Sequence, residues 1–230
     1  MLWVWTVSLP ITILNSPAVS AIPRRQSFYT TRHPAFGTAT DIIGVILFAL
    51  ALPLETVADA QKFAFRSKQQ KPGGDKAAIC TEGVWRWSRH PNYFAEIMCQ
   101  IGIYLIAVTP AAYPSLSHLS RSAQAALASS VVGPVFLTVL LLCVSGLPLQ
   151  EKPGAKKRWE RSTDRERGDG GKEWENYKTY LEETSILVPM PRTVWKRLPV
   201  WVKRTVGCEW PMFVFVPERD GERREEDAQE

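Results

Sequence analysis

Apolar and polar positions are sorted along this chain into long blocks. Met1 to Pro23, Ile97 to Ser120 and Ser122 to Gln150 contain no Asp, Glu, Lys or Arg. Each exceeds the ~20 residues a helix needs to cross a bilayer. A shorter apolar block, Ile42 to Leu54, lies between Asp41 and Glu55; extended from Thr38 to Ala58 it gives a fourth span with carboxylates near its ends. Each block carries Pro or Gly (Pro10, Gly44, Gly102, Gly133, Pro134), which spanning helices tolerate because neighbours re-satisfy freed backbone groups. The pattern predicts an all-α, polytopic membrane helix bundle with about four transmembrane helices.

Charge then orients the blocks. Lys62, Arg66, Lys68, Lys71, Lys76, Arg86 and Arg89 fall in the loop expected from Ala60 to Asn92, and Lys152, Lys156, Lys157 and Arg158 follow the last block, whereas Arg121 stands alone between the third and fourth. By the positive-inside bias, the second loop and an amphipathic C-terminal region are cytosolic. Arg24, Arg25 and Arg32 then lie on the opposite side, against that bias. The N-terminal block has no basic leader and is interrupted by Pro10, Asn15 and Pro17, so it reads as a span rather than a cleaved signal peptide. Residues 1–191 are expected to form the membrane domain. Residues 192–230 are read as an interfacial aromatic segment and a charged tail, disordered from Pro217, with Ser162 to Lys172 a flexible insertion.

Composition alone would hide this: 230 residues, 45% hydrophobic and 22% charged, with a mean hydropathy of -0.13, resemble a soluble domain. The net charge of +5 suits anionic headgroups or an anionic ligand, and no nucleic-acid-binding module or free basic stripe is present, so nucleic acid is not expected as a partner. Cysteines at 80, 99, 143 and 208 and three scattered histidines lack ligand spacing. No metal is expected.

The chemistry concentrates in GVWRWSRHPNYFAEI, Gly83 to Ile97, at the mouth of an apolar block. A helix starting at Pro91, where the missing N–H is harmless, places Asn92 and Glu96 one turn apart on one face. Arg89, His90 and the helix N-terminus would together favour a phosphate, and Glu96 could accept from ribose hydroxyls or a carboxamide. The competing reading is an interfacial belt of Trp85, Trp87, Tyr93 and Phe94 with Arg86 and Arg89 as snorkelling anchors. A carboxylate entering an apolar run opposes it, being costly unless paired or functional.

GVWRWSRHPNYFAEI, then SGLPLQEKPGAKKRW, then WENYKTYLEETSILVPMP resemble, in that order, the C-terminal region of the steroid 5-alpha-reductase-like membrane proteins, in particular the branch with the DUF1295 signature. The sterol C14 and C24(28) reductases share the Arg-His-Pro-x-Tyr core. The resemblance covers roughly Leu2 to Pro191. It implies a membrane protein of the endoplasmic reticulum that binds NADPH from the cytosol and reduces a C=C bond of a steroid, sterol or other unsaturated lipid.

By the same resemblance, Asn92, Tyr93 and Glu96 line the cofactor pocket, Arg89 and His90 match the sterol-reductase variant, Asp59 and Arg66 hold the nucleotide, and Trp174 and Tyr177 stand beside it. Each has a structural alternative. Asp59, four residues after Glu55, could end a span; Arg66 could set topology; Trp174 and Tyr177 could seat an amphipathic helix on the membrane. Two features depart from the family: Ala95 replaces the usual Gly, and about seven spans are usual where four are read here, as though the first helices were missing. The catalytic Glu and Tyr of the steroid reductases, carried on those helices, have no match. Isoprenylcysteine carboxyl methyltransferases, which bind S-adenosylmethionine, share Arg-His-Pro-x-Tyr and provide the alternative enzyme class; a truncated non-catalytic membrane protein is the third reading.

Overall fold

The computed structural model of the chain describes residues 2–20, 37–74, 78–113, 119–164 and 169–221. Among them the secondary structure is helical, without a strand, and Ser88 and Ser185 form an isolated parallel bridge. The helices are α1 (Leu2–Val7), α2 (Leu9–Leu14), α3 (Pro17–Ser20), α4 (Ala39–Gln69), α5 (Pro91–Ala112), α6 (Arg121–Ser129), α7 (Val132–Val139), α8 (Leu147–Thr163), α9 (Lys172–Glu183), α10 (Arg192–Arg197), α11 (Val200–Thr205) and α12 (Pro217–Asp220). A π-helical turn, Leu140–Val144, follows α7.

Three helical stretches among the described residues are long and apolar enough to cross a membrane: Ala39–Gln69, Pro91–Ala112 and Arg121–Thr163. The chain is an all-α membrane protein. The first expected span differs from the pattern. Leu2 to Leu14 is helical but broken at Ser8, and Asn15 ends it by donating its side-chain amide to the Ile11 carbonyl. Pro10 supplies no N–H to the preceding turn, and thirteen residues at ~1.5 Å each fall short of a ~30 Å hydrocarbon core. The second span differs the other way, because α4 runs beyond Ala58 to Gln69. Lys62 and Arg66 therefore stand on a helix rather than in a loop. Arg24, Arg25, Arg32 and Lys76 lie outside the described residues.

The chain forms two compact units, one from Met1–Leu54 with Ala95–Val139, the other from Glu55–Phe94 with Leu140–Glu230. In the first, Gly44 and Gly102 let two apolar helices meet at the backbone: a Cβ on Gly44 would lie 2.7 Å from the Gly102 carbonyl oxygen, and one on Gly102 2.8 Å from that of Gly44. Small residues permit this close approach between spanning helices. Asp41 and Thr38 cap α4 reciprocally, the Thr38 N–H donating to the carboxylate at 3.2 Å and the Asp41 N–H to the Thr38 hydroxyl at 3.4 Å, a capping box with Asp in the Glu position. Thr109 also donates to Asp41, at 2.7 Å. The carboxylate at this apolar block is thus fully engaged.

In the second unit, α8 and α9 pack through Ala155, Tyr177 and Tyr180, joined by Phe215. Both stretches rich in Lys and Arg fold into this unit. The segment read as a flexible insertion is anchored at both edges: buried Ser162 donates to Asp169 at 2.6 Å and accepts from the Trp174 N–H, while Asp169 accepts from the Glu173 N–H. Its residues 165–168 lie outside the described residues. Order also extends past Pro217 through α12, where Lys152 pairs with Asp220 at 2.7 Å; the tail from 222 lies outside the described residues.

Candidate functional site

Gly83 opens the WRWSRHP segment with φ +55°, a left-handed conformation that favours glycine. The following 3-10 turn, Gly83–Arg86, buries Trp85 against Ala58 and Cys80, and its indole donates to the Ala58 carbonyl at 2.9 Å. Trp85 is therefore a core residue, not part of an interfacial belt; Trp87 is 39% exposed. Next, Ser88, fully buried, donates to the Leu187 carbonyl at 2.8 Å, while the Arg89 N–H donates to the Ser185 carbonyl at 2.8 Å. The Arg89–His90 peptide is held on both sides before α5 starts at Pro91.

These anchors place Arg89 and His90 around one carboxylate. Glu151 accepts from the Arg89 guanidinium at 2.5 Å and lies 2.6 Å from His90 Nε2. Glu209 binds the same guanidinium. The Arg89, His90 and Glu151 side chains are 9%, 7% and 7% exposed. Burial alone would lower the Arg89 pKa, but the charges of Glu151 and Glu209 outweigh it and raise it. With two carboxylates on it, Arg89 contributes little net charge to its surroundings. Tyr93 stacks on His90, with ring centroids 5.2 Å apart, and its hydroxyl bonds to Gln150.

Two neighbouring cavities adjoin this network, of about 250 Å³ and 270 Å³, sharing Lys62, Arg66, Trp85 and Gln150 in their walls. The first also has Arg89, His90, Glu151, Arg158, Tyr177 and Tyr180; the second has Asp59, Phe63 and Asn92. Asp59, Lys62 and Arg66 project together because positions three and seven apart share a helix face. Lys62 lies 4.2 Å from the Trp85 ring and Arg158 4.8 Å from that of Tyr177, both cation–π contacts. Neither Lys62 nor Arg66 has a carboxylate partner among the described residues. Asn92 Oδ1 is buried without a donor. Burial raises the Tyr177 phenol to about 12 and pushes Tyr180 higher still, so both remain hydrogen-bond donors at neutral pH.

Of the residues singled out in the sequence, Asp59, Arg66, Arg89, His90, Asn92 and Tyr177 line these cavities, and Tyr93 braces them through His90 and Gln150. Glu96, one turn beyond Asn92, lines neither. Trp174 faces a separate aromatic cavity. Sequence reasoning gave no site role to Lys62, Gln150, Glu151, Arg158, Tyr180 or Glu209. Lys62 was legible from its spacing to Asp59 and Arg66, and Glu151 as the first charge after the uncharged run ending at Gln150. Glu209, 120 residues from Arg89, carried no local signal.

A family profile described as a protein of unknown function (DUF1295) matches residues 1–167. The chain belongs to the DUF1295 family. No curated protein and no solved structure matches it. The match takes in α4, the Gly83–Ile97 segment and all of α8. The α9 residues Tyr177 and Tyr180 lie beyond it, so the first cavity of this DUF1295 protein is completed by chain outside the matched region, whereas the residues lining the second all fall within it.

Proposed function

We propose that this DUF1295 protein is a membrane oxidoreductase of the steroid 5-alpha-reductase-like kind, resident in the endoplasmic reticulum. In this reading it binds NADPH from the cytosolic side and reduces a C=C bond of a steroid, sterol or other unsaturated lipid. The observation that carries the reading is the pair of cavities walled by the unpaired cations Lys62 and Arg66, the Trp85 ring and the donor-less Asn92 Oδ1. A phosphorylated dinucleotide offers the complementary set: anionic oxygens for the cations, a flat ring for the aromatics and amide or hydroxyl donors for Asn92. S-adenosylmethionine, with its cationic sulfonium, suits two unbalanced cations less well.

Lys62 and Arg66 would hold phosphate, Asn92 would orient an amide or ribose donor, and Asp59 would accept from a hydroxyl. When bound, the cofactor supplies a hydride to the β-carbon of a polarised alkene. The Arg89–Glu151–His90 network fixes the wall on which the pocket is built, and Tyr177 and Tyr180 keep their protons there.

Calorimetric titration of the detergent-purified chain with NADPH and S-adenosylmethionine tests this without requiring turnover. Saturable NADPH binding is expected, weakened about tenfold or more in Arg66→Ala, because a hydrogen bond to a charged group contributes about 1.5–3 kcal/mol and ~1.4 kcal/mol is tenfold. Asn92→Ala should weaken it as well. Binding of S-adenosylmethionine alone would assign the methyltransferase class instead, and binding of neither would remove the enzymatic reading.

A further inference from the structure

A third cavity, of about 480 Å³, is formed by α9 and the segment from Glu209 to Glu218, and Arg89 lies in its wall as well as in that of the first cavity. Its character is the reverse of the cofactor cavities. Trp174, Trp210, Phe213 and Phe215 line it; Trp174 meets Phe215 edge-on with centroids 5.6 Å apart, and Trp210 stacks on Phe213 at 5.8 Å. Its charged lining comprises Glu175, Glu182, Glu209 and Glu218 against Arg89 and Lys178. Arg89 is already bound by Glu151 and Glu209, whereas Glu175, Glu182 and Glu218 have no ion pair among the described residues. The cavity is therefore aromatic and net negative.

Aromatic faces attract cations through their quadrupoles, most strongly where the cation is desolvated, and nearby carboxylates add to that attraction. An apolar tail would cover the remaining aromatic surface, whereas an anionic head would face four carboxylates. Burial pushes the Glu209 carboxyl up, Arg89 pulling it back only in part, so an added positive charge beside it is favoured.

We propose that this aromatic cavity is a second ligand site, which takes a single-chain amphiphile ending in a protonated or quaternary amine. It is distinct from the cavities assigned to the nucleotide, and its test does not depend on that assignment. The experiment titrates the detergent-purified chain with hexyltrimethylammonium, hexanol and hexanoate, each well below its micellar concentration, and reads heat and tryptophan emission. The cation is expected to bind saturably and at least tenfold more tightly than hexanol, with no measurable binding of hexanoate. Trp210→Ala and Glu218→Gln should each weaken it threefold or more, with circular dichroism unchanged, while Trp201→Ala, which removes an exposed indole outside the cavity, should leave it intact. Equal uptake of the three probes, insensitivity to Trp210→Ala and Glu218→Gln, or a loss that follows Trp201→Ala would overturn the assignment, each indicating partition into the detergent or a surface.

Discussion

Replacing Glu151 by Ala removes the one carboxylate that joins Arg89 to His90. Both contacts, at 2.5 and 2.6 Å, are made by side chains at least nine-tenths buried. Breaking a buried ion pair by removing one partner costs about 3–5 kcal/mol, because a desolvated charge is left behind. Arg89 keeps Glu209, whose side chain is 25% exposed, so the lower end applies and a loss of about 3 kcal/mol is expected. At ~2–4 °C per kcal/mol for a chain of this size, the midpoint should fall by about 6–12 °C. Glu151→Gln keeps the shape and an acceptor for Arg89 and should lose about half as much. The double variant Arg89→Met with Glu151→Leu removes both charges together, so it should lie roughly 2 kcal/mol above the sum of its single changes. Thermal unfolding in detergent, followed by labelling of Cys80, whose thiol is buried at 3% exposure, reads these proteins together with the single variants Arg89→Met and Glu151→Leu. A midpoint for Glu151→Ala within 2 °C of the parent, or strict additivity in the double variant, would show that the network does not hold the unit together.

Gly44→Ala should destabilise the first unit by about 1–3 kcal/mol, since its methyl would meet the Gly102 carbonyl oxygen at 2.7 Å; an unchanged midpoint would contradict that close approach. Asp220 supplies a pH test. Hydrogen bonds from Arg219, from Lys152 and from the Val216 N–H hold its carboxyl far below the usual value. A folded pKa below the unfolded one means that docking of α12 is fully supported above about pH 4 and weakens as pH falls through the ordinary Asp range towards the lowered value. Hydrogen exchange across Val216–Gly221, corrected for intrinsic rates, should rise on acidification in the parent and be already raised and flat in Asp220→Asn; matching profiles in the two would refute it.

The sequence by itself determined that the chain is helical and membrane-embedded, because long runs without charge have few other stable outcomes and backbone groups in lipid must be satisfied within a helix. It also carried the α5 start at Pro91 and membership of the DUF1295 family, the first two of the three ordered blocks lying within the matched residues 1–167. It overstated the first apolar run, where hydropathy registers length and Pro10 and Asn15 decide whether one helix can use it. It understated α4, since hydropathy falls after Ala58 while helix formation continues on polar residues. Only the tertiary structure decided that Trp85 is core, that Arg89 is neutralised by Glu151 and Glu209, and that Lys62 and Arg66 remain as the unbalanced cations. The reason is physical: local pattern reports which residues avoid water, whereas a charge is free or balanced according to partners 62 and 120 positions away.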